Sequence, residues 1–355
     1  MAKTRIEWAD AVWNPITGCT PISEGCQNCY AKRMAKRLAG RCGYPKDDPF
    51  LVTLHPERLN EPLKWKKPRR VFVCSMGDLF HEDVPFQFIA TVFGVMANSS
   101  QNIYIVLTKR PQRMKEFFDW LFSNAAKYYA RGYRTVPYDD DRINVLIMNI
   151  ASEYGINLDF MRQWPLFNVW LGVTAENQAR ADERIPILLQ IPAAVRFVSV
   201  EPMLGPVDLS KWLGGTWYCK TCECTVDPEF VPFSEIHYPC ENYLDFIPGI
   251  DWVICGGESG SGARPMHPEW VRSLKDQCQA AGVPFFFKQW GEWFPRDQWE
   301  WNPELILPDD EYAYRDGSGT HVFEDIDGLY PVHRVGKKAA GRILDGQIWD
   351  EMPEI

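Results

Sequence analysis

Cysteine spacing is the first chemical feature of this 355-residue sequence. Cys19, Cys26 and Cys29 fall within eleven consecutive residues, separated by six and then by two. Three thiols on one short loop can converge on a metal ion or a cluster, because loop backbone can wrap its ligands around one point. A structural zinc ion wants four ligands. The nearby candidates for a fourth, Cys42, His55 and Cys74, stand at no usual zinc-finger spacing. Three thiols without a fourth suit a [4Fe–4S] cluster with one iron left open for a substrate or cofactor. Unliganded thiols are the remaining alternative. A second group, Cys219, Cys222, Cys224 and Cys240, brings four sulfurs into a short stretch and suits a closed structural zinc site, with His237 able to replace one ligand. An auxiliary iron–sulfur cluster, or no metal, are the alternatives there. Cys255 and Cys278 stand apart and read, with Cys42 and Cys74, as small core residues.

The elements that must position these residues recur along the chain. Near-continuous apolar runs begin at Arg70, Ile103, Val169, Val195 and Trp252, with a further candidate at Val283. Such runs predict strands covered on both faces, as in a parallel sheet. Helical patterns over 30–38, from Pro111 onward, over 175–190 and over 268–281 separate them. Strand alternating with helix gives βαβ units and an α/β fold. Six or seven units predict an open, partial parallel β/α barrel, with a doubly wound sheet as the alternative. The earliest strand candidate, 12–17, contains Pro15, which cannot donate to a ladder and so belongs at a sheet edge. Residues 1–291 therefore read as the barrel, with insertions at 123–165 and 212–249, the latter rich in cysteine. Residues 292–355 read as an acidic, aromatic extension packing on it.

In barrels the chemistry sits where strands end. The residues just after each strand candidate are polar: Ser75, Met76, Gly77 and Asp78, then Thr108, Lys109 and Arg110, then Thr174, Glu176 and Asn177. Glu201, then Gly256, Gly257, Glu258 and Ser259, and finally Lys288 and Gln289 continue the series. Any one of them could be a helix cap or a tight turn. A whole ring of polar strand ends points to a site at one mouth.

At these motifs the chain resembles the radical SAM superfamily, in which three cysteines follow the first strand of a β/α barrel. The spacing here is six and two rather than three and two, with Asn28 before Cys29 and Tyr30 after it. More closely, it resembles a phage- and bacteria-associated three-Cys-motif family built on a domain of unknown function. The matching stretches include Trp13 to Cys19, Gly25 to Ala31, Ser75 to Phe80, Leu107 to Pro111 and Gly172 to Asn177. Ser199 to Met203, Gly256 to Gly260, Phe287 to Gly291 and Gly336 to Gly341 complete them. The superfamily resemblance implies a [4Fe–4S] cluster on Cys19, Cys26 and Cys29 that chelates S-adenosylmethionine and delivers the electron for its cleavage to a 5′-deoxyadenosyl radical. It also implies that Ser75 to Asp78 meet the methionyl amino group, with Asp78 the acid. Lys109 or Arg110 would take the methionyl carboxylate, and Thr174, Glu176 or Asn177 the ribose hydroxyls. Glu201, Gly256, Gly257 and Glu258 join the cofactor-binding set. Trp290, Trp293, Phe294, Trp299 and Trp301 would either cover the site or plug the barrel end.

Composition bounds the rest. A chain 46% hydrophobic and 24% charged is an ordinary globular protein rather than a disordered or coiled-coil one. No run of about 18 apolar residues exists, so no membrane span is expected, and without an apolar leader the cytosol is the expected compartment. The net charge is −9 overall; residues 292–355 hold 15 acidic and 6 basic residues, so 1–291 hold 32 of each and are neutral. Two local basic stretches stand out: Lys32, Arg33, Lys36, Arg37 and Arg41, and Lys64, Lys66, Lys67, Arg69 and Arg70 around Trp65. Cations with an interleaved aromatic suit nucleic acid; a solvated helix face and a basic turn are the plainer alternative. The family resemblance implies a separate partner protein. A contrasting reading is a non-catalytic, zinc-stabilised nucleic-acid-binding module or phage accessory protein in which both cysteine groups are structural.

Overall fold

Seven short runs of β-branched and aromatic residues form one all-parallel sheet in chain order: β1 (Ala11–Trp13), β2 (Arg70–Val73), β3 (Ile103–Thr108), β4 (Val169–Thr174), β5 (Val195–Val200), β6 (Trp252–Gly256) and β7 (Phe285–Gln289). Helices α1 (Tyr30–Arg37), α2 (Phe86–Asn98), α3 (Pro111–Ala130), α4 (Asp139–Glu153), α5 (Gln178–Leu188) and α6 (Pro268–Ala280) supply the crossovers. This is the open, partial β/α barrel, with β1 and β7 as its edges. The computed structural model describes residue 4 and residues 6–130, 139–219, 224–226, 236–237, 242–243, 245–302, 319–325 and 328–354.

Alternate side chains of each strand go to opposite faces. Val71, Val73, Val106, Leu171, Val173, Val198, Val200, Val253 and Phe287 join the large core under the helices. The opposite set, Ile105, Trp170, Phe197, Trp252, Ile254 and Phe286, gathers with Trp8 inside the curl. Trp252 is the hub of this plug, with ring centroids 5.7 Å from Trp170, 5.5 Å from Phe197 and 6.2 Å from Phe286. The plug sits at the N-terminal end of the strands, which leaves the C-terminal end as the mouth.

The predicted first strand divides at Pro15. Ala11–Trp13 forms the edge strand, and Ile16–Thr17 turns away to pair antiparallel with Thr53–Leu54. At the other edge, Phe287 N–H donates to Trp349 O at 2.9 Å and Trp252 Nε1 to Glu351 O at 2.9 Å, so the chain's last turn covers β7. Among the described residues no helix is long and apolar enough to cross a membrane.

Candidate active site

The loop after β1 carries the three cysteines and lies across the mouth. Its entry is fixed by a close backbone approach: Gly18 N–H donates to Met76 O at 2.9 Å, and a Cβ on Gly77 would stand 2.9 Å from Gly18 O. Gly18 itself has φ +86, and a Cβ there would meet Leu51 O at 2.1 Å. Asn14, just after β1, accepts from Met76 N–H (2.9 Å) and from Ser75 Oγ (3.2 Å), binding the end of β2 to the same loop. The approach that Gly77 permits is thus by the chain's own backbone.

From there the loop is laced to one strand end after another. Arg110 donates to Thr20 O (3.0 Å) and Thr20 Oγ1 (2.9 Å), and its Nη1 lies 3.4 Å from Cys19 Sγ. Ser23 Oγ donates to Glu176 at 2.6 Å, and Glu24 receives Asn177 Nδ2 and the Arg180 guanidinium. Asn28 Nδ2 donates to Glu258 at 2.9 Å, Arg33 to Ser259 O at 2.8 Å, and the Tyr30 hydroxyl to Ser75 O. Gly25 lies so close to Glu176 that a Cβ would stand 2.3 Å from its Oε1.

Most of the polar strand-end residues are spent on such contacts. Asp78 is buried and accepts from Thr108 Oγ1 (2.7 Å), Phe80 N–H (3.0 Å) and Arg110 Nη1 (3.2 Å). Arg110 also pairs with Glu82 at 2.9 Å. Glu176 is wholly buried against Arg184 (2.9 Å), whose Nη1 also reaches Thr174 O at 2.8 Å. Thr174 is therefore not the cap of α5; Asn177 is, accepting from Arg180 N–H at 3.1 Å. Glu258 takes a bidentate contact from Arg264 (2.7 and 2.9 Å). Burial alone would raise the Glu258 carboxyl, but the hydrogen bonds from Arg264 and Asn28 hold it below the usual carboxylate range. Gly257 is held against β7: a Cβ would lie 1.9 Å from Trp290 O.

One cation at the mouth is less committed than the rest. Lys109 Nζ has Glu176 at 3.8 Å, a loose pair, whereas Lys288 binds Glu201 at 2.7 and 2.9 Å. Residues that sequence reasoning missed are those within the loop, Ser23, Glu24 and Asn28, together with Arg184 and Arg264. Their one signal was their position among or beside the cysteines and acids they serve.

The thiols are uncrosslinked. Burial, then the nearby Asp78 carboxylate, pushes the Cys19 thiol up to about 12, against the opposing pull of Arg110. Cys26 Sγ faces Ser23 Oγ at 3.9 Å. Among the described residues no three His, Cys, Asp or Glu side chains are gathered closely enough to hold a metal ion. Two of the three candidates for a fourth ligand are occupied elsewhere. His55 uses Nε2 on Thr17 Oγ1 (2.8 Å) and Nδ1 on Glu57 (3.1 Å), and Cys74 is buried in the main core. Cys42 is exposed, its carbonyl accepting from Arg58. In the second group, the backbones of Cys219 and Cys224 stand opposite each other in an antiparallel ladder. Cys222 and Cys240, and the zinc site expected of the four, lie outside the described residues.

The aromatic stretch after β7 divides in two. Trp290 and Phe294 are buried in the main core, Trp293 Nε1 donates to Ala263 O at 2.8 Å, and Trp299 and Trp301 are exposed. Trp293 thus rests on the loop after β6, and the plug of the barrel end is the inner cluster around Trp252 instead.

No curated protein matches this chain. One solved structure, of a spore photoproduct lyase mutant, is similar over 94% of this chain and 70% of its own, with 10% identity and a TM-score of 0.36. So distant a likeness adds nothing to the topology described above. A family match is extensive: residues 3–353, nearly the whole chain, fit the family described as "Protein of unknown function (DUF5131)", and the chain belongs to that family.

Proposed function

We propose that this chain is a radical SAM-type enzyme, with Cys19, Cys26 and Cys29 holding a [4Fe–4S] cluster at the mouth of the barrel. The observation that carries the reading is the donor set. Three free thiols share one loop after β1, while Cys74 is buried in the core, His55 is hydrogen-bonded through both ring nitrogens, and Cys42 keeps a free, exposed thiol in the turn after α1. That set lacks the fourth protein ligand a structural zinc ion wants and suits a cluster with one open iron. Seating it means turning Cys19 from Thr20 O and Arg110, each at 3.4 Å, and Cys26 from Ser23 Oγ at 3.9 Å, and drawing the three thiols together. When bound, such a cluster supplies the one-electron reduction that breaks a sulfonium carbon–sulfur bond of S-adenosylmethionine.

The protein's own groups then bind and orient. Lys109, loosely paired, is better placed than Arg110 to receive a methionyl carboxylate, since Arg110 is committed to Asp78, Glu82 and Thr20. The aromatic plug closes the far end of the curl, so substrate reaches the site from the C-terminal face and water is kept from behind it. Lys288 and Glu201 offer a charged pair at that face.

Anaerobic reconstitution with iron and sulfide tests this. The expected product absorbs broadly near about 400 nm and, once reduced, converts S-adenosylmethionine to 5′-deoxyadenosine. Alanine at Cys19, Cys26 or Cys29 abolishes both signals, and Cys42→Ser keeps them. Stoichiometric zinc bound by the three thiols, with no cluster formed, refutes the proposal and favours the structural-module reading.

A further inference from the structure

The basic helix beside the cysteines has more charge than the fold can use. Between Gly25 and Lys46 the sequence holds Lys32, Arg33, Lys36, Arg37, Arg41 and Lys46 and no acidic residue. Helix α1 buries only Ala31 and Ala35, so its long side chains project outward. Arg33 has a structural task at Ser259 O. Lys32, Lys36, Arg37 and Arg41 are exposed and, among the described residues, have no ion-pair partner. Lys32–Lys36 and Arg33–Arg37 are like charges at i,i+4, an arrangement that destabilises a short helix. The helix dipole welcomes Lys36 and Arg37 in the last turn, but it opposes Lys32 and Arg33 in the first. The fold gains nothing from Lys32 that would offset this.

Two large exposed side chains accompany the cations. Tyr30 is 48% exposed as a residue although its hydroxyl is buried against Ser75 O, and Met34, one turn later, is 40% exposed. Because Tyr30 reaches the end of β2 and Arg33 the loop after β6, this face forms part of the rim of the mouth. The other basic stretch lacks the same combination: Lys64, Lys66 and Lys67 are exposed, but Trp65 is buried, with Arg69 stacked 5.2 Å from its ring centroid.

We infer that the exposed side of α1, with Tyr30, Lys32, Lys36 and Arg37, together with Arg41 in the turn after it, docks a single-stranded or locally unpaired nucleic-acid strand and delivers it to the mouth. Cations spread over the exposed side of the helix can meet successive phosphates of a flexible strand, and an exposed aromatic side chain can take an unstacked base. A duplex offers no free base face to Tyr30, which is why the single strand is preferred. The charge is local, so an acidic protein binds through this patch alone. The inference names a substrate class for the radical site proposed above and rests on that reading for its chemistry, but binding itself needs neither cluster nor cofactor.

The test is fluorescence anisotropy with a labelled single-stranded DNA of about 20 nucleotides and the full chain as purified, without reductant or S-adenosylmethionine. Log affinity should fall linearly with log salt, with a slope of about −2 to −3 for three or four phosphate contacts. Lys32→Ala/Lys36→Ala/Arg37→Ala should make the slope shallower by about 2 and weaken binding at least about tenfold near 0.1 M salt. Tyr30→Leu, checked for an unchanged thermal melt, should weaken binding about tenfold and leave the slope alone. Lys64→Ala/Lys66→Ala/Lys67→Ala removes the same charge elsewhere and should bind as the parent does. Failure of the parent to bind, equal losses in the two triple variants, or an unaffected α1 variant overturns the inference. So does a duplex bound as tightly as the single strand with Tyr30→Leu unaffected, which would mark a patch for any polyanion. Because the cofactor assay is separate, S-adenosylmethionine cleavage without strand binding overturns only this inference, and strand binding without cleavage overturns only the enzymatic reading.

Discussion

Replacing Asp78 by asparagine separates two roles for the same carboxylate. From the superfamily resemblance it is an acid for the methionyl amino group; in the fold it is the partner of a buried arginine. Its side chain is 8% exposed and that of Arg110 is 4%. Asparagine keeps one acceptor oxygen, enough for Thr108 Oγ1 or Phe80 N–H, and turns an N–H2 group toward a guanidinium that can only donate. Removing one member of a buried ion pair costs about 3–5 kcal/mol. Arg110 retains Glu82 at 2.9 Å, a partner 62% exposed, so its charge is not left bare and the cost falls just below that range, at about 2–3 kcal/mol. In a chain of 355 residues that lowers Tm by about 3–4 °C. Urea unfolding of the parent, Asp78→Asn, Arg110→Met and the double variant should give a coupling of at least about 1 kcal/mol, because the doubly substituted chain no longer strands a charge. An Asp78→Asn protein with parental stability that fails only to bind or cleave S-adenosylmethionine refutes the structural assignment and makes Asp78 a ligand group.

Two further predictions follow from packing and charge. A Cβ on Gly172 would stand 2.5 Å from the Phe197 ring inside the curl, so Gly172→Ala should destabilise by about 1–3 kcal/mol in urea unfolding, and by less when Phe197→Leu makes room; equal costs in both backgrounds would contradict the account of the plug. Burial raises the Asp345 carboxyl, but hydrogen bonds from Arg272 (3.0 and 3.1 Å) and Gln298 (2.8 Å) outweigh it and leave the group below 3.8. A lowered folded value means stability present above the unfolded value and lost as pH falls through the folded one. The advantage of the parent over Asp345→Asn, about 1 kcal/mol for a half-buried pair screened by solvent, should therefore shrink as pH falls below about 4. A gap that does not change with pH refutes the electrostatic origin.

The barrel was legible because strands buried on both faces leave a local mark. Val169–Thr174 and Val195–Val200 read as strands from composition alone, and Pro15 told which strand must be an edge. Helix α2 was not legible for the opposite reason. Residues 88 to 97 are buried without a break, so no polar face alternates with an apolar one and the 3.6-residue signal is lost. The plug escaped too, since the choice of which alternate residues face inward depends on how the sheet curls.

At the site, the residue types were legible and their partners were not. Ser23 meets Glu176 across 153 positions and Asn28 meets Glu258 across 230, separations no local pattern encodes. That distance alters what the polar ring does. Its acids chiefly hold the cysteine loop, with Glu176 and Glu258 buried and saturated by Arg184 and Arg264, so they have little capacity left for a ribose. A loop anchored to the ends of β2, β3, β4 and β6 loses most of its backbone freedom on folding, not on binding. Any group seated on Cys19, Cys26 and Cys29 still has to draw the thiols together, but the loop that carries them is already fixed in place, so little backbone ordering is left to the binding step.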